Sequence, residues 1–302
     1  MSRRLRSASR AAALLALAFA CSGSPAVAVA AAVEVPLYEV KVPLAGTTEA
    51  DRKAGFAEAL RQLAVRASGR GEAASSAVIA AADPAQYVQR YSTRADRVLT
   101  VGFERRSTQR LLQQAGLPFW PAERPLTRVE APGADLQAAQ LAAHRRGLPI
   151  EWGGPGEARA PTDPARALLV GTPGAGGYEW SFAHAGQTAR ASGPLAAGID
   201  LAADTLASRY APPATRSESG FVLRVSGIAD LGDYAGVLDY LGSLSFVRDV
   251  AVEALEGEVL RLRITARGDR ELLGRIAALD GRLRAPARDG SGVTEADLHY
   301  AP

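Results

Sequence analysis

Cysteine is nearly missing from this 302-residue chain: Cys21 is the single one. If the segment that carries it is removed, no thiol remains, and disulfides, thiolate metal sites and a cysteine nucleophile are excluded. Asn is absent, so there is no acceptor for N-glycosylation. Lysine occurs only at Lys41 and Lys53, which leaves almost no candidate for a lysine base or Schiff base. Histidine is confined to His144, His184 and His299, none at metal-ligand spacing from another. No Gly-x-Ser-x-Gly elbow or Ser-x-x-Lys motif occurs, so the common serine hydrolase signatures are lacking. These absences leave no cofactor, no metal site and no catalytic residue to assign, and the expectation is a protein that is not an enzyme.

The first thirty residues carry the strongest positive signal. Arg3, Arg4, Arg6 and Arg10 form a basic start, and residues 11–20 form an apolar run too short to span a bilayer. Ala26-Val27-Ala28 and Ala28-Val29-Ala30 both offer the small-x-small pattern of a cleavage site. Residues 1–30 therefore read as a signal peptide, and the protein is expected in the periplasm, where ATP, NAD and DNA are not available. Acylation of Cys21 would make it a lipoprotein, but Ala18-Phe19-Ala20 lacks the usual Leu three residues before the cysteine. Ser2-Arg3-Arg4-Leu5 is a weaker twin-arginine signal, with no other matching feature. The leader's four arginines also carry the excess charge. Without them the 35 basic residues fall to 31, against 32 acidic ones. A nucleic-acid surface cannot be argued from such a balance. No later apolar run is long enough for a transmembrane segment.

Alternating strand and helix patterns divide the rest. A first α/β module covers 33–129: a strand over 35–44, a helix capped by Thr47 or Thr48 and ended by Gly69, a helical region over 72–90 broken at Asp83-Pro84, a strand over 98–103, a helix capped by Ser107, and a strand over 126–129. In the first helix Phe56, Leu60, Leu63 and Ala67 form the apolar face, and Arg52, Glu58, Arg61 and Arg66 the polar one. A second α/β module covers 130–212. Its helix 135–146 turns Leu136, Ala139 and Leu141 inward. A loop over 153–164, a strand over 167–171, a hairpin around His184-Ala185-Gly186 and a helix over 195–210 complete it. The third module, 220–285, reads strand, helix, strand, strand, helix, strand, the ferredoxin-like βαββαβ order. Its first helix carries Leu231, Tyr234, Leu238 and Leu241 on one stripe. Residues 286–302 read as a disordered tail. The fold class is thus α/β and α+β.

Each motif has a plain alternative. Residues 171–177, Gly-Thr-Pro-Gly-Ala-Gly-Gly, lack the P-loop lysine and precede a strand, so a hairpin loop is the better reading. The carboxylate pairs Asp200/Asp204, Asp230/Asp233 and Glu256/Glu258 could serve a glycosidase only if two faced each other across a cleft. Capping and solvation explain the last two. Trp120, on the Pro-stiffened run 117–121, reads as a plug between modules. In the third module Leu223, Val225, Leu260, Leu262 and Ile264 alternate with Arg224, Arg261 and Arg263. If the apolar set faces the helices, the three arginines share the open face, where they could bind an acidic partner, a polysaccharide phosphate or another module. The plain alternative, and the commoner one on protein surfaces, is an ordinary solvated face. RNA binding would need stacking aromatics there, which are lacking.

Several blocks are familiar together: residues 37–43, 63–69, 87–91, 111–120 and Arg124-Pro125. They resemble the proteobacterial family of exported proteins known as domain of unknown function 2066, over most of the chain. The segment 147–167 departs from it, being short and loop-like. The resemblance implies an envelope protein and transfers no catalytic residue. The expectation is a non-enzymatic adaptor or assembly factor whose partner is another envelope protein. The alternative is an envelope carbohydrate-binding protein or hydrolase with a carboxylate site between modules.

Overall fold

The computed structural model describes residues 32–153, 166–212, 218–286 and 296–301. Residues 1–31, read above as a signal peptide through residue 30, most of the 153–164 loop and residues 287–295 of the expected tail lie outside the described residues. The fold is mixed α and β, with helices packed on several sheets.

A short strand β1 (Val33–Glu34) precedes β2 (Glu39–Pro43) and the long helix α1 (Glu49–Ser68). Thr48 caps α1: its hydroxyl accepts from the Asp51 amide, and the Asp51 carboxylate accepts from the Thr48 amide. This reciprocal box satisfies two orphan donors at the helix start. Beyond α1 come a single 3-10 turn, the short α2 (Ala77–Ala81) and a second 3-10 turn. Strand β3 (Val88–Thr93) follows, where the helical region was expected to continue to residue 90. Its side chains are mostly exposed, so no apolar alternation announced it. β4 (Val98–Phe103) pairs antiparallel with both β2 and β3. Helix α3 (Arg105–Gln114) is capped by Glu104 and not by Ser107: the carboxylate accepts from the Arg106 and Ser107 amides. Those bonds hold the Glu104 carboxyl down at about 2.

β5 (Glu123–Arg124) pairs with β1. β6 (Thr127–Glu130), placed from sequence at the end of the first module, runs parallel to β8 (Ala167–Gly174) and to β7 (Ile150–Trp152), which was not foreseen. It therefore belongs to the second sheet, because parallel pairing needs a crossover and α4 (Leu136–Arg146) supplies it. β9 (Gly177–His184) and β10 (Gln187–Gly193) complete the order β10-β9-β8-β6-β7. The glycine run 171–177 is the β8–β9 hairpin, with Gly174 paired to Gly177. α5 (Leu195–Tyr210) lies against this sheet. α4 buries Ala139, Ala142, Ala143 and Arg146 and leaves Leu136 and Leu141 exposed, the reverse of the expected face for both leucines. Small side chains face inward because α4 is packed against both α1 and α5. Trp180 fits beside α5 because Gly171 and Gly198 leave it room; a Cβ at Gly198 would stand 2.3 Å from the indole.

The third sheet contains β11 (Ser219–Ser226), β12 (Val247–Glu256), β13 (Val259–Ala266) and β14 (Leu283–Arg284), with helices α6 (Leu231–Ser243) and α7 (Arg270–Asp280) between them in the chain. A ferredoxin-like sheet would pair its fourth strand with its first. Here β15 (Leu298–Tyr300) lies between them, parallel to β11 and antiparallel to β14, giving the order β12-β13-β11-β15-β14. Residues 296–301 are thus part of the sheet, not a tail. Leu298 and Tyr300 point into the core, and the hydroxyl of Tyr300 lies against Gly236 of α6. The α6 stripe is Tyr234, Val237, Leu238 and Leu241, and Leu231 in the first turn is left exposed. The buried apolar residues of all three larger sheets join in one cluster from Leu37 to Tyr300.

Candidate functional site

Three charged features were built by the fold, and each takes its residues from separate parts of the chain. The first is buried. Arg66, placed from sequence on the polar face of α1, is 1% exposed, and Arg124 is wholly buried. The Arg124 guanidinium donates to five carbonyls: Pro121 (2.9 Å), Arg146 (3.4 Å), Gly147 (2.6 Å), Arg66 (2.8 Å) and Trp120 (3.1 Å). It also lies 3.7 Å from the Trp120 ring centroid. Three of those carbonyls belong to the C-terminal ends of α1 and α4, where the helix dipole is negative. Burial and the neighbouring Arg66 pull the Arg124 pKa down, and the carbonyl cage holds its charge with no ion pair to a carboxylate among the described residues.

Arg66 donates to the carbonyls of Pro36 (3.3 Å) and Glu39 (2.8 Å) and faces Nδ1 of His144 at 3.4 Å. Burial lowers its pKa to about 10. His144 is held below the usual imidazole range by burial, then by Arg66 and Lys41. Arg146 completes the group. It bonds Asp200 at 2.8 Å, the carbonyl of Gly69 at 2.9 Å, and Asp204. Two glycines end the helices at this point with left-handed backbones, Gly69 at φ +68° and Gly147 at φ +64°. A Cβ at Gly147 would stand 2.4 Å from Nη1 of Arg124, and one at Gly69 2.6 Å from the Trp120 ring. Trp120 is completely buried here, which agrees with a plug and not with a groove. Asp200 and Asp204, the carboxylate pair that sequence brought nearest to catalysis, are the acceptors of Arg146.

The second feature is the open face of the third sheet. Arg224 and Arg261 are directly paired across β11 and β13, and Arg263 lies two residues along. All three are exposed while Leu223, Val225, Leu260, Leu262 and Ile264 are buried on the other face. Glu253 of β12 bridges two of them, at 3.0 Å from Nε of Arg261 and 2.8 Å from Nε of Arg263. Strand alternation adds Arg284 and His299, which are paired in register on β14 and β15 and exposed. Sequence reading missed His299 because it took β15 for a tail, and it placed Arg284 on a strand without assigning it to this face.

The third feature is a cleft of about 610 Å³ lined by Arg106, Gln109, Arg110, Gln113, Glu218, Arg248 and Arg267. A smaller cavity of about 310 Å³ shares several of these residues and adds Arg105, Phe119 and Ser245. The clue available in the sequence was the basic start of α3, Arg105-Arg106 with Arg110 a turn later. Nothing local showed that Arg248 and Arg267 would join them.

The remaining motifs have structural roles. Asp230 caps α6 by accepting from the Asp233 amide, and the Asp233 carboxylate accepts from the Ala229 amide. Glu256 and Glu258 flank Gly257, which turns at φ +61° between β12 and β13. His184 lies 2.8 Å from the hydroxyl of Tyr210, and His299 lies 3.2 Å from the hydroxyl of Ser226. Among the described residues no helix is long and apolar enough to cross a membrane.

No curated protein matches the chain, and no solved structure does. A family described as Domain of unknown function (DUF8605) matches residues 30–121, about a third of the chain. A domain of unknown function is thus supported, but not the family named above or a proteobacterial origin. The matched part of this chain contains α1, the α3 arginines and Trp120, and stops before Arg124.

Proposed function

We propose that this protein is an exported, non-enzymatic adaptor or assembly factor of the cell envelope, and that it holds an acidic segment of a partner protein on the open face of the third sheet. The observation that carries this reading is the alignment of Arg224, Arg261 and Arg263 on one uncovered surface. Glu253 pairs with Arg261 and Arg263 and orients their guanidiniums, while Arg224 makes no ion pair among the described residues. Export rests on the leader pattern of residues 1–30. The hydrolase alternative is weakened, because Asp200 and Asp204 are tied to Arg146 and do not face each other across a cleft.

The test is recovery of crosslinked partners from the envelope fraction, with the chain carrying Arg224→Ser, Arg261→Ser and Arg263→Ser together. The arginines are exposed, so the variant should keep the circular dichroism and melting behaviour of the parent. Partner recovery should fall at least about tenfold, a loss of about 1.4 kcal/mol. Unchanged recovery from a folded variant would remove this face from the function.

A further inference from the structure

We infer that the cleft between α3 and the start of the third sheet is a binding site for a small ligand carrying several phosphate groups. Five arginines line the two joined cavities: Arg105, Arg106 and Arg110 from α3, Arg248 from β12, and Arg267 just past the end of β13. Among the described residues of the lining, Glu218 is the only carboxylate, and it is already engaged with Arg248 at 3.1 Å. Arg106, Arg110 and Arg267 make no ion pair among the described residues. Arg105 is placed over the ring of Tyr38, and Arg267 over the ring of Phe119, each at 5.5 Å. Aromatic faces orient these side chains without cancelling their charge.

The site differs from a scattered basic surface in two ways. Its cations come from segments more than a hundred residues apart, brought to one concavity by the fold. Its volume falls in the range of small-molecule sites, roughly 300–1,000 Å³, and exceeds what one oxyanion would fill. Gln113 adds a neutral donor to the lining of the larger cavity, and Gln109, also in the lining, donates to the Tyr38 hydroxyl at 2.8 Å. Planar guanidiniums are the side chains best matched to phosphate oxygens, because each offers two parallel N–H donors. The chemistry that satisfies this set is therefore two or more linked phosphates. A soluble oligophosphate and a phosphorylated lipid headgroup share that chemistry.

The site is independent of the arginine face proposed above, since none of Arg224, Arg261 and Arg263 lines it. Titration calorimetry of the full chain with inorganic tripolyphosphate tests it, with vesicles bearing a diphosphorylated headgroup as the second arm. Saturable binding is expected in at least one arm, and the arm that binds identifies the source. Arg106→Gln with Arg267→Gln should weaken it at least about tenfold, because each substitution removes a charge-assisted contact. Glu218→Gln should tighten it about two- to threefold, a change opposite in sign to damage of the fold. The triple substitution on the open sheet face should leave it unchanged. No saturable binding in either arm below about 1 mM would overturn the assignment. So would binding that survives the Arg106/Arg267 double substitution.

Discussion

Arg124 shows how much one side chain can be asked to do. It touches the ends of α1 and α4, the Trp120 connector and, through Arg66, the edge of the first sheet. Its charge is buried among carbonyl oxygens that would otherwise lack donors in a dry interior. Arg124→Met keeps the length and removes all five donors, so several acceptors are left unpaired at about 1–3 kcal/mol each. The expected result is a loss of at least about 4 kcal/mol in urea unfolding, or failure to fold. Arg124→Lys should recover only part of it, because an ammonium cannot span the fork. A loss under about 1 kcal/mol for Arg124→Met would mean that the cage relaxes around the vacancy.

At the scale of the element, helix starts are where this chain places its acids with most effect. Thr48 with Asp51, Glu104, Asp135, Asp230 and Asp269 each cap a helix through side-chain oxygen. Glu104 is the clearest case. Its carboxyl sits at about 2 in the fold, against an ordinary value near 4.5. A carboxylate lowered by folding contributes stability that is complete above its unfolded value. That contribution is lost as pH falls from there through about 2. Glu104→Ala should therefore cost about 0.5–2 kcal/mol at neutral pH and progressively less in acid. Thermal melts of parent and variant at pH 7, 4 and about 2 should converge at the acid end. A difference that stays constant with pH would assign the cost to packing and not to the cap.

Elements were legible in the sequence where their own side chains carried the signal. α1, α5, α6 and α7 fall where apolar spacing places them, and α4 falls where its terminal residues Asp135 and Gly147 place it. The sequence reading failed where partners decide. β3 is nearly all exposed, so it has no apolar alternation to read and exists because β4 offers its edge. The inward face of α4 is alanine and not leucine because two helices approach it closely. Arg66 reads as a surface charge on any helical projection, and only the carbonyls of Pro36 and Glu39 make its burial tolerable.

At the scale of the molecule, the last described strand matters most. β15 fills the space between β11 and β14 and contributes Leu298 and Tyr300 to the core. Asp297 fastens it by accepting from the Arg224 amide at 2.9 Å and pairing with Arg270 at 2.8 Å. Ending the chain after Pro286 would strip β11 and β14 of their partner and expose an unpaired strand edge. The truncated protein should melt well below the parent and aggregate. Hydrogen exchange should show lost protection in β11 and β14, with β8 and β9 less affected. Equal protection in both sheets would show that β15 is dispensable.

By itself the sequence determined the basic and apolar pattern of residues 1–30, the single cysteine, the mixed α and β class and the alternation that exposes Arg224, Arg261 and Arg263. These follow from local composition and from the periods of helix and strand, which any segment carries within itself. Only the tertiary structure decided that Arg66, Arg124 and Arg146 are buried, that Asp200 and Asp204 serve Arg146, and that five arginines share a cleft. Those outcomes depend on residues far apart in the chain. Charge tolerates burial only where distant carbonyls or carboxylates converge on it, and a cleft exists only once separate elements have packed.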